Sequence, residues 1–311
     1  MSLFKNGTLL WTLAVVLLLG PGYAGAQNHT AFNSAEEAAG ALVEALKDND
    51  VPTLGTLLGP DSEDVFSSGD EVADANARAE FLSLYETRHA LVADGEGTMV
   101  LEVGEDAWPL PIPFVEVDGK WYLDGAAGAE EINVRRIGRN ELGAIAVCRG
   151  FVDAQIEYAA EVRDADEAGI FAAKLKSDPG RKNGLYWPVA DGEPQSPIGE
   201  AAARAAAEGY RAIAGQRLPY HGYYYRMLYA QGGNAEGGAI EYFEDGLLTQ
   251  GVALIAWPAD YGVSGVMSFM VNHTGAVYEK DMGEDTGALV GLVEVYDPDS
   301  SWSLVVSEDE P

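Results

Sequence analysis

Residues 129–161 read AEEINVRRIGRNELGAIAVCRGFVDAQIEYAAE, and the stretches on either side are organised around them. Ile145, Cys148, Val152, Ile156 and Ala159 fall on related turns of one helical face, so the spacing predicts a long α-helix over 129–161. Gly138, Gly143 and Gly150 lower helix propensity because a bare backbone loses more entropy on ordering, which predicts one kink. Such a helix either joins two lobes or lies across one continuous core. Its three arginines, Arg135, Arg136 and Arg139, form a basic patch in an acidic chain: they either pair with acidic neighbours or contact an anionic ligand.

Upstream, Ser34 to Lys47 reads as an amphipathic helix whose packing side holds Ala35, Ala38, Ala39, Leu42, Val43 and Leu46. Ser34 is placed as its N-cap, with Glu37 three residues on to complete a capping box. A short helical turn over Thr53 to Leu58 stops at Gly59-Pro60, and Val72 to His89 is helical through Ala75, Ala79, Leu82 and Tyr85. Thr98 to Val103 alternates as a strand, and Asp118-Gly119-Lys120 between two short β-type runs predicts a hairpin. Pro109, Pro111 and Pro113 lack backbone donors and belong at an edge or in a loop. Trp108, Trp121 and Tyr122 form either a binding floor or ordinary core.

Downstream, Ala168 to Lys176 is expected to be a short helix before Pro179-Gly180, and Ile198 to Glu208 an alanine-rich one. Strands are expected at Tyr223 to Ala230, Gly251 to Trp257, Val266 to Val271 and Ala276 to Lys280, spaced for an antiparallel sheet. Asp285 to Val295 adds a short helix, and Trp302 to Val306 closes the chain. The expected class is α+β: N-terminal helices with a small antiparallel sheet, a long linking helix and a C-terminal antiparallel sheet module. The divisions are 1–26, 27–127 and 128–311.

The first of these divisions reads as a signal peptide. Lys5 precedes the apolar run Leu9 to Leu19, and Ala24-Gly25-Ala26 supplies the small residues that a signal peptidase accepts. The expectation is export to the periplasm or beyond with cleavage after Ala26, and no stable transmembrane anchor, because the apolar run is short for spanning a bilayer. Cys148 is the one cysteine, so an intramolecular disulfide is excluded and packing must hold the fold. A formal net charge of -31 repels phosphate polymers, which argues against nucleic acid as a partner.

The segments Arg136-Ile137-Gly138-Arg139-Asn140-Glu141-Leu142, Gly184-Leu185-Tyr186-Trp187-Pro188 and Pro219-Tyr220-His221-Gly222-Tyr223-Tyr224-Tyr225-Arg226 resemble the DUF2950 family of uncharacterised exported bacterial proteins. Tyr261 to Met267 and Asp297 to Trp302 extend the resemblance, which runs from about Phe32 to Trp302. It implies no established catalytic residues. The helix followed by a tyrosine-rich sheet is also similar to pilin-like proteins, but a separate module precedes this helix, a departure from the pilin pattern.

Among candidate sites, His221 sits in a turn where it either makes a structural hydrogen bond or exchanges a proton near neutral pH. Tyr220, His221, Tyr223, Tyr225 and Arg226 form the expected ligand-binding group, with Tyr223 and Tyr225 on one side of a strand and Tyr224 on the other. This favours a non-catalytic module for a cell-envelope protein or small ligand. The alternative is an envelope hydrolase using His221 with Asp260 or Asp281 and with Ser264 as nucleophile, although no Gly-x-Ser-x-Gly elbow positions that serine. Cys148 on the apolar stripe reads as packing rather than nucleophile. No His-Glu-x-x-His, paired-Cys or phosphate-loop pattern points to a metal or nucleotide cofactor, so none is expected. Asp164 and Asp166 before Gly169 only faintly suggest a calcium loop, since Ala168 and Leu175 stand where oxygen ligands belong.

Overall fold

The computed structural model describes residues 30–60, 62–161, 168–190, 192–210 and 217–306. The expected leader over 1–26 lies outside these residues, as do Asp164 and Asp166. The chain is α+β, with two five-stranded antiparallel sheets, two two-stranded ones and two hydrophobic cores strung along one long helix.

The Ser34 hydroxyl caps α1 (Ala35–Asp48) by accepting from the Glu37 N–H at 3.2 Å. Glu37 answers from the Asn33 N–H at 3.0 Å, so the reciprocal half of the box closes one residue earlier than the pattern predicts. Then follow α2 (Val51–Leu58), the single turn α3 (Glu63–Phe66) and α4 (Glu71–Thr87). The strands β1 (His89–Ala93), β2 (Thr98–Val103), β3 (Trp108–Pro109), β4 (Phe114–Val117) and β5 (Lys120–Leu123) form the first sheet. Its order is β1-β2-β4-β5 with β3 on β2. At the β4–β5 turn Asp118 and Gly119 have φ of 51° and 74°, the left-handed pair that a two-residue hairpin turn requires. Leu42, Leu54, Leu58, Leu101, Phe114 and Leu123 make the core beneath α1 and α2, and Trp121 packs against it. By contrast, α4 buries none of its residues completely.

Asp124 caps α5 (Gly125–Ala160), whose start lies hard against α2: a Cβ on Gly125 would stand 2.4 Å from the Leu58 carbonyl oxygen. The helix continues through Gly138, Gly143 and Gly150. Ile132 in its first turns packs on the N-terminal core, whereas Ala144, Cys148, Phe151, Val152, Ala154 and Tyr158 enter the C-terminal one. Ile156, expected on the buried stripe, is 54% exposed, and Gln155 beside it is fully buried. The Gln155 amide explains the rotation, donating to the Ala172 carbonyl at 3.0 Å and accepting from the Ala172 N–H at 2.8 Å.

That pairing also corrects the helix expected over Ala168 to Lys176, which is irregular and non-helical. Phe171 N–H donates to the Leu248 carbonyl, and the carbonyls of Lys174 and Leu175 accept from Leu185 and Tyr186. With these backbone groups committed to distant partners, local helix propensity is overridden.

After α6 (Gly199–Ala207) come β6 (Tyr223–Leu228), β7 (Ala230–Gln231), β8 (Ile240–Glu241), β9 (Phe243–Glu244), β10 (Leu247–Leu248), β11 (Ala253–Pro258), β12 (Met267–Asn272), β13 (Val277–Asp281), α7 (Thr286–Val290) and β14 (Ser303–Leu304). The main sheet has the order β14-β13-β12-β11-β6, antiparallel throughout, which leaves β6 at an edge. Every residue of β11 is buried, since α5 and α7 both pack against that strand. Among the described residues, no helix is long and apolar enough to cross a membrane.

Candidate functional site

The turn that leads into β6 is tight. Tyr220 and Tyr223 exchange backbone hydrogen bonds at 2.9 and 3.2 Å, which forces His221 and Gly222 into the left-handed region at φ of 51° and 74°. Glycine is required at the second position, where a Cβ would come 2.4 Å from Asn140 Nδ2. The turn is locked to the N-terminal module by Asp70, whose carboxylate is buried. One Asp70 oxygen caps α4 through the Ala73 N–H; the other accepts from the Gly222 N–H and the Tyr210 hydroxyl, all at 3.0 Å. Burial first, and the Asp70 charge second, hold the Tyr210 phenol above its ordinary pKa, so it stays a donor. Its oxygen also accepts from the His221 N–H at 3.2 Å.

The His221 ring packs edge-on to Tyr220, and its Nε2 lies 3.3 Å from the Glu208 carboxylate. From below, Asn140 of α5 donates to the Ser264 carbonyl at 2.9 Å, and Glu141 accepts from the N–H groups of Val266 and Met267. Stretches around Arg136–Leu142, Pro219–Arg226 and Tyr261–Met267 are far apart in the chain but meet at this junction. Asp70, Glu208 and Tyr210 carried no pattern that separated them from ordinary surface residues in the sequence, whereas Asn140 lies in one of the segments that carry the family resemblance.

The remaining candidates divide by face. Tyr223 and Tyr225 point inward on the same side: Tyr223 donates to the Met267 carbonyl at 2.8 Å and Tyr225 to the Tyr220 carbonyl at 3.4 Å. Burial raises both phenols above their ordinary pKa. Arg226 lies on the other face, where its guanidinium donates to the carbonyls of Val290 and Val293 and lies near the Trp257 ring. Tyr224 lines an opening of about 590 Å³ there with Trp257, Asp260, Tyr261 and Glu284, and Arg217 lies 5.2 Å above the indole. Ser264 is buried; its hydroxyl donates to the Asp260 carbonyl and accepts from the Asp260 N–H, while Asp281 accepts from the Tyr261 phenol. Serine, histidine and acid are therefore not joined as a hydrogen-bonded triad. Burial pushes the Cys148 thiol up to about 12, far from a reactive thiolate.

A separate cleft of about 490 Å³ opens between α4 and the N-terminal core. Leu42, Leu58, Phe81 and Leu84 are among its walls, and Arg78, Arg135, Arg136 and Arg139 line it together with Asp74, Glu80, Glu105 and Asp106. Arg135 pairs with Glu131 at 2.7 Å and lies over Trp108 at 5.2 Å. Arg136 donates to the Val65 carbonyl and to Asn133, and burial, ahead of its charged neighbours, lowers its pKa. Among the described residues, no group of three or more His, Cys, Asp or Glu side chains is placed to hold a metal ion.

These features define a two-core α+β protein whose modules share one helix and are pinned together at a buried carboxylate. The chain belongs to the family described as protein of unknown function DUF2950, whose family model matches residues 29–305. Comparison with curated proteins and with solved structures gives no match.

Proposed function

We propose that the chain is exported and acts outside the cytoplasm as a small-ligand-binding module rather than a catalyst, with the ligand held in the cleft beside α4. One observation carries this reading: α4 leaves Phe81 and Leu84 half-buried across an open seam from the leucine core. Apolar surface in a concave seam favours an occupant, since covering it is worth about 25 cal/mol per Å². Export is supported by the order of Lys5, the apolar run and Ala24-Gly25-Ala26. In this reading Tyr220, His221, Tyr223, Tyr225 and Arg226 shape and anchor the turn and the edge strand rather than touch the ligand.

A neutral naphthylamine dye that brightens in apolar surroundings tests the reading. One saturable site is expected in the wild type and none in Ala77→Trp, which places an indole in the cleft wall. Dye binding that fails to saturate, or that persists unchanged in a folded Ala77→Trp, counts against it. The second reading, a hydrolase using His221, draws support from the 3.3 Å approach of Glu208. Turnover of an ester or peptide panel that His221→Ala abolishes would favour it.

A further inference from the structure

We infer that the opening between the end of β11 and the start of α7 binds a neutral saccharide, a sugar ring laid on Tyr224 and Tyr261 with its hydroxyls shared among Asp260, Glu284 and Arg217. The inference is independent of the cleft beside α4, whose walls belong to other elements.

The aromatic surface comes from the sheet edge. Tyr224 of β6 and Trp257 of β11 stand directly opposite each other, with ring centroids 5.8 Å apart and planes at 47°. Both line the opening, and the turn after β11 adds Tyr261 as a third ring. That turn is set in advance. Ser264 Oγ accepts from the Asp260 N–H at 2.9 Å and donates to the Asp260 carbonyl at 3.0 Å, while the Tyr261 phenol donates to Asp281 at 3.0 Å. A wall held by such bonds loses little further freedom when a ligand arrives.

The polar groups around the rings are uncommitted. Asp260 and Glu284 line the opening, are exposed, and form no ion pair with the described residues. Arg217 lies 5.2 Å over the Trp257 indole and likewise pairs with no carboxylate among the described residues. Arg226, 5.9 Å from the same ring, is taken up by the Val290 and Val293 carbonyls.

These charges decide the class of ligand. An anion would meet Asp260 and Glu284, and a cation would meet the two guanidinium groups gathered at the indole. A hydrocarbon would cover the rings but strip water from the polar groups without replacing its hydrogen bonds. A neutral sugar avoids all three conflicts. Its C–H face suits an aromatic ring, and each hydroxyl can donate to a carboxylate and accept from a guanidinium. The opening of about 590 Å³ falls within the roughly 300–1,000 Å³ of small-ligand sites.

An oligosaccharide array probed with the purified chain tests the inference. It carries neutral oligomers of glucose, galactose, mannose and N-acetylglucosamine, with galacturonate and glucosamine oligomers as anionic and cationic counterparts. At least one neutral series should be captured in preference to both charged ones. Asp260→Ala combined with Glu284→Ala should weaken that capture about tenfold or more, the worth of one hydrogen bond to a charged group. Both positions are exposed and unpaired, so the urea midpoint of this variant should stay at the wild-type value. No capture of any neutral series, preference for a charged series, or full retention by the double variant would overturn the inference. Sugar capture lost in Ala77→Trp but kept in the double variant would place the sugar in the α4 cleft, overturning this site and leaving the cleft reading intact. Failed dye binding beside neutral capture that behaves as expected would do the reverse.

Discussion

Replacing Asp70 by alanine should be among the most damaging single changes outside the apolar cores. Its carboxylate is 1% exposed and receives three hydrogen bonds at 3.0 Å, from Ala73, Gly222 and Tyr210. Losing the cap of α4 costs about 1 kcal/mol. The Gly222 N–H and the Tyr210 hydroxyl would also lose their acceptor in a closed site, at roughly 1–3 kcal/mol each. Because neighbouring losses overlap, the expected total is about 3–5 kcal/mol. Tyr210→Phe removes one of the three donors to Asp70 and also the acceptor of the His221 N–H, so it should cost about 1–3 kcal/mol. Added to Asp70→Ala, it should recover part of the loss. Urea unfolding followed by tryptophan fluorescence, with all four members of the cycle compared at fixed slope, measures these differences. If Asp70→Ala shifted stability by less than about 1 kcal/mol, the carboxylate would not be the lock between the modules and the junction argument would fail.

Two further outcomes follow from the same structure and the chain start. Burial lowers the pKa of His273, whose Nδ1 is enclosed without a hydrogen-bond partner among the described residues. The folded chain thus binds fewer protons than the unfolded one just below the ordinary histidine pKa; this contribution is complete above about pH 6.5 and lost as pH falls through the folded pKa. His273→Gln should therefore flatten the decline of the urea midpoint between about pH 7 and pH 5; an unchanged slope would refute that cause. On the proposed export and cleavage, N-terminal sequencing of the chain recovered outside the cytoplasm should begin at Gln27, and a retained Met1 would refute the cleavage.

Much of the fold was legible because each element carries its own signal. The Ser34 cap, the Asp118-Gly119 turn and the fully apolar run of β11 are local patterns, read within a few residues. The candidate chemistry was less legible. His221 was visible as a rare residue in a glycine turn, but its companions Asp70, Glu208 and Tyr210 belong to other elements and look like ordinary surface residues until the chain closes on itself. Tyr223 and Tyr225 were correctly grouped on one side by strand alternation, yet alternation does not say which side α5 covers.

From the sequence alone came the export pattern, the family resemblance, the α+β class and the long helix, because hydrophobic period, caps and turn residues act over short separations. Only tertiary packing decided that Gln155 is buried while Ile156 is exposed, that 168–176 is not helical, and that the α5 arginines border an apolar seam. Those outcomes depend on which backbone groups find partners far along the chain and on which helix face meets a sheet. Such free-energy differences arise between residues that no local pattern relates.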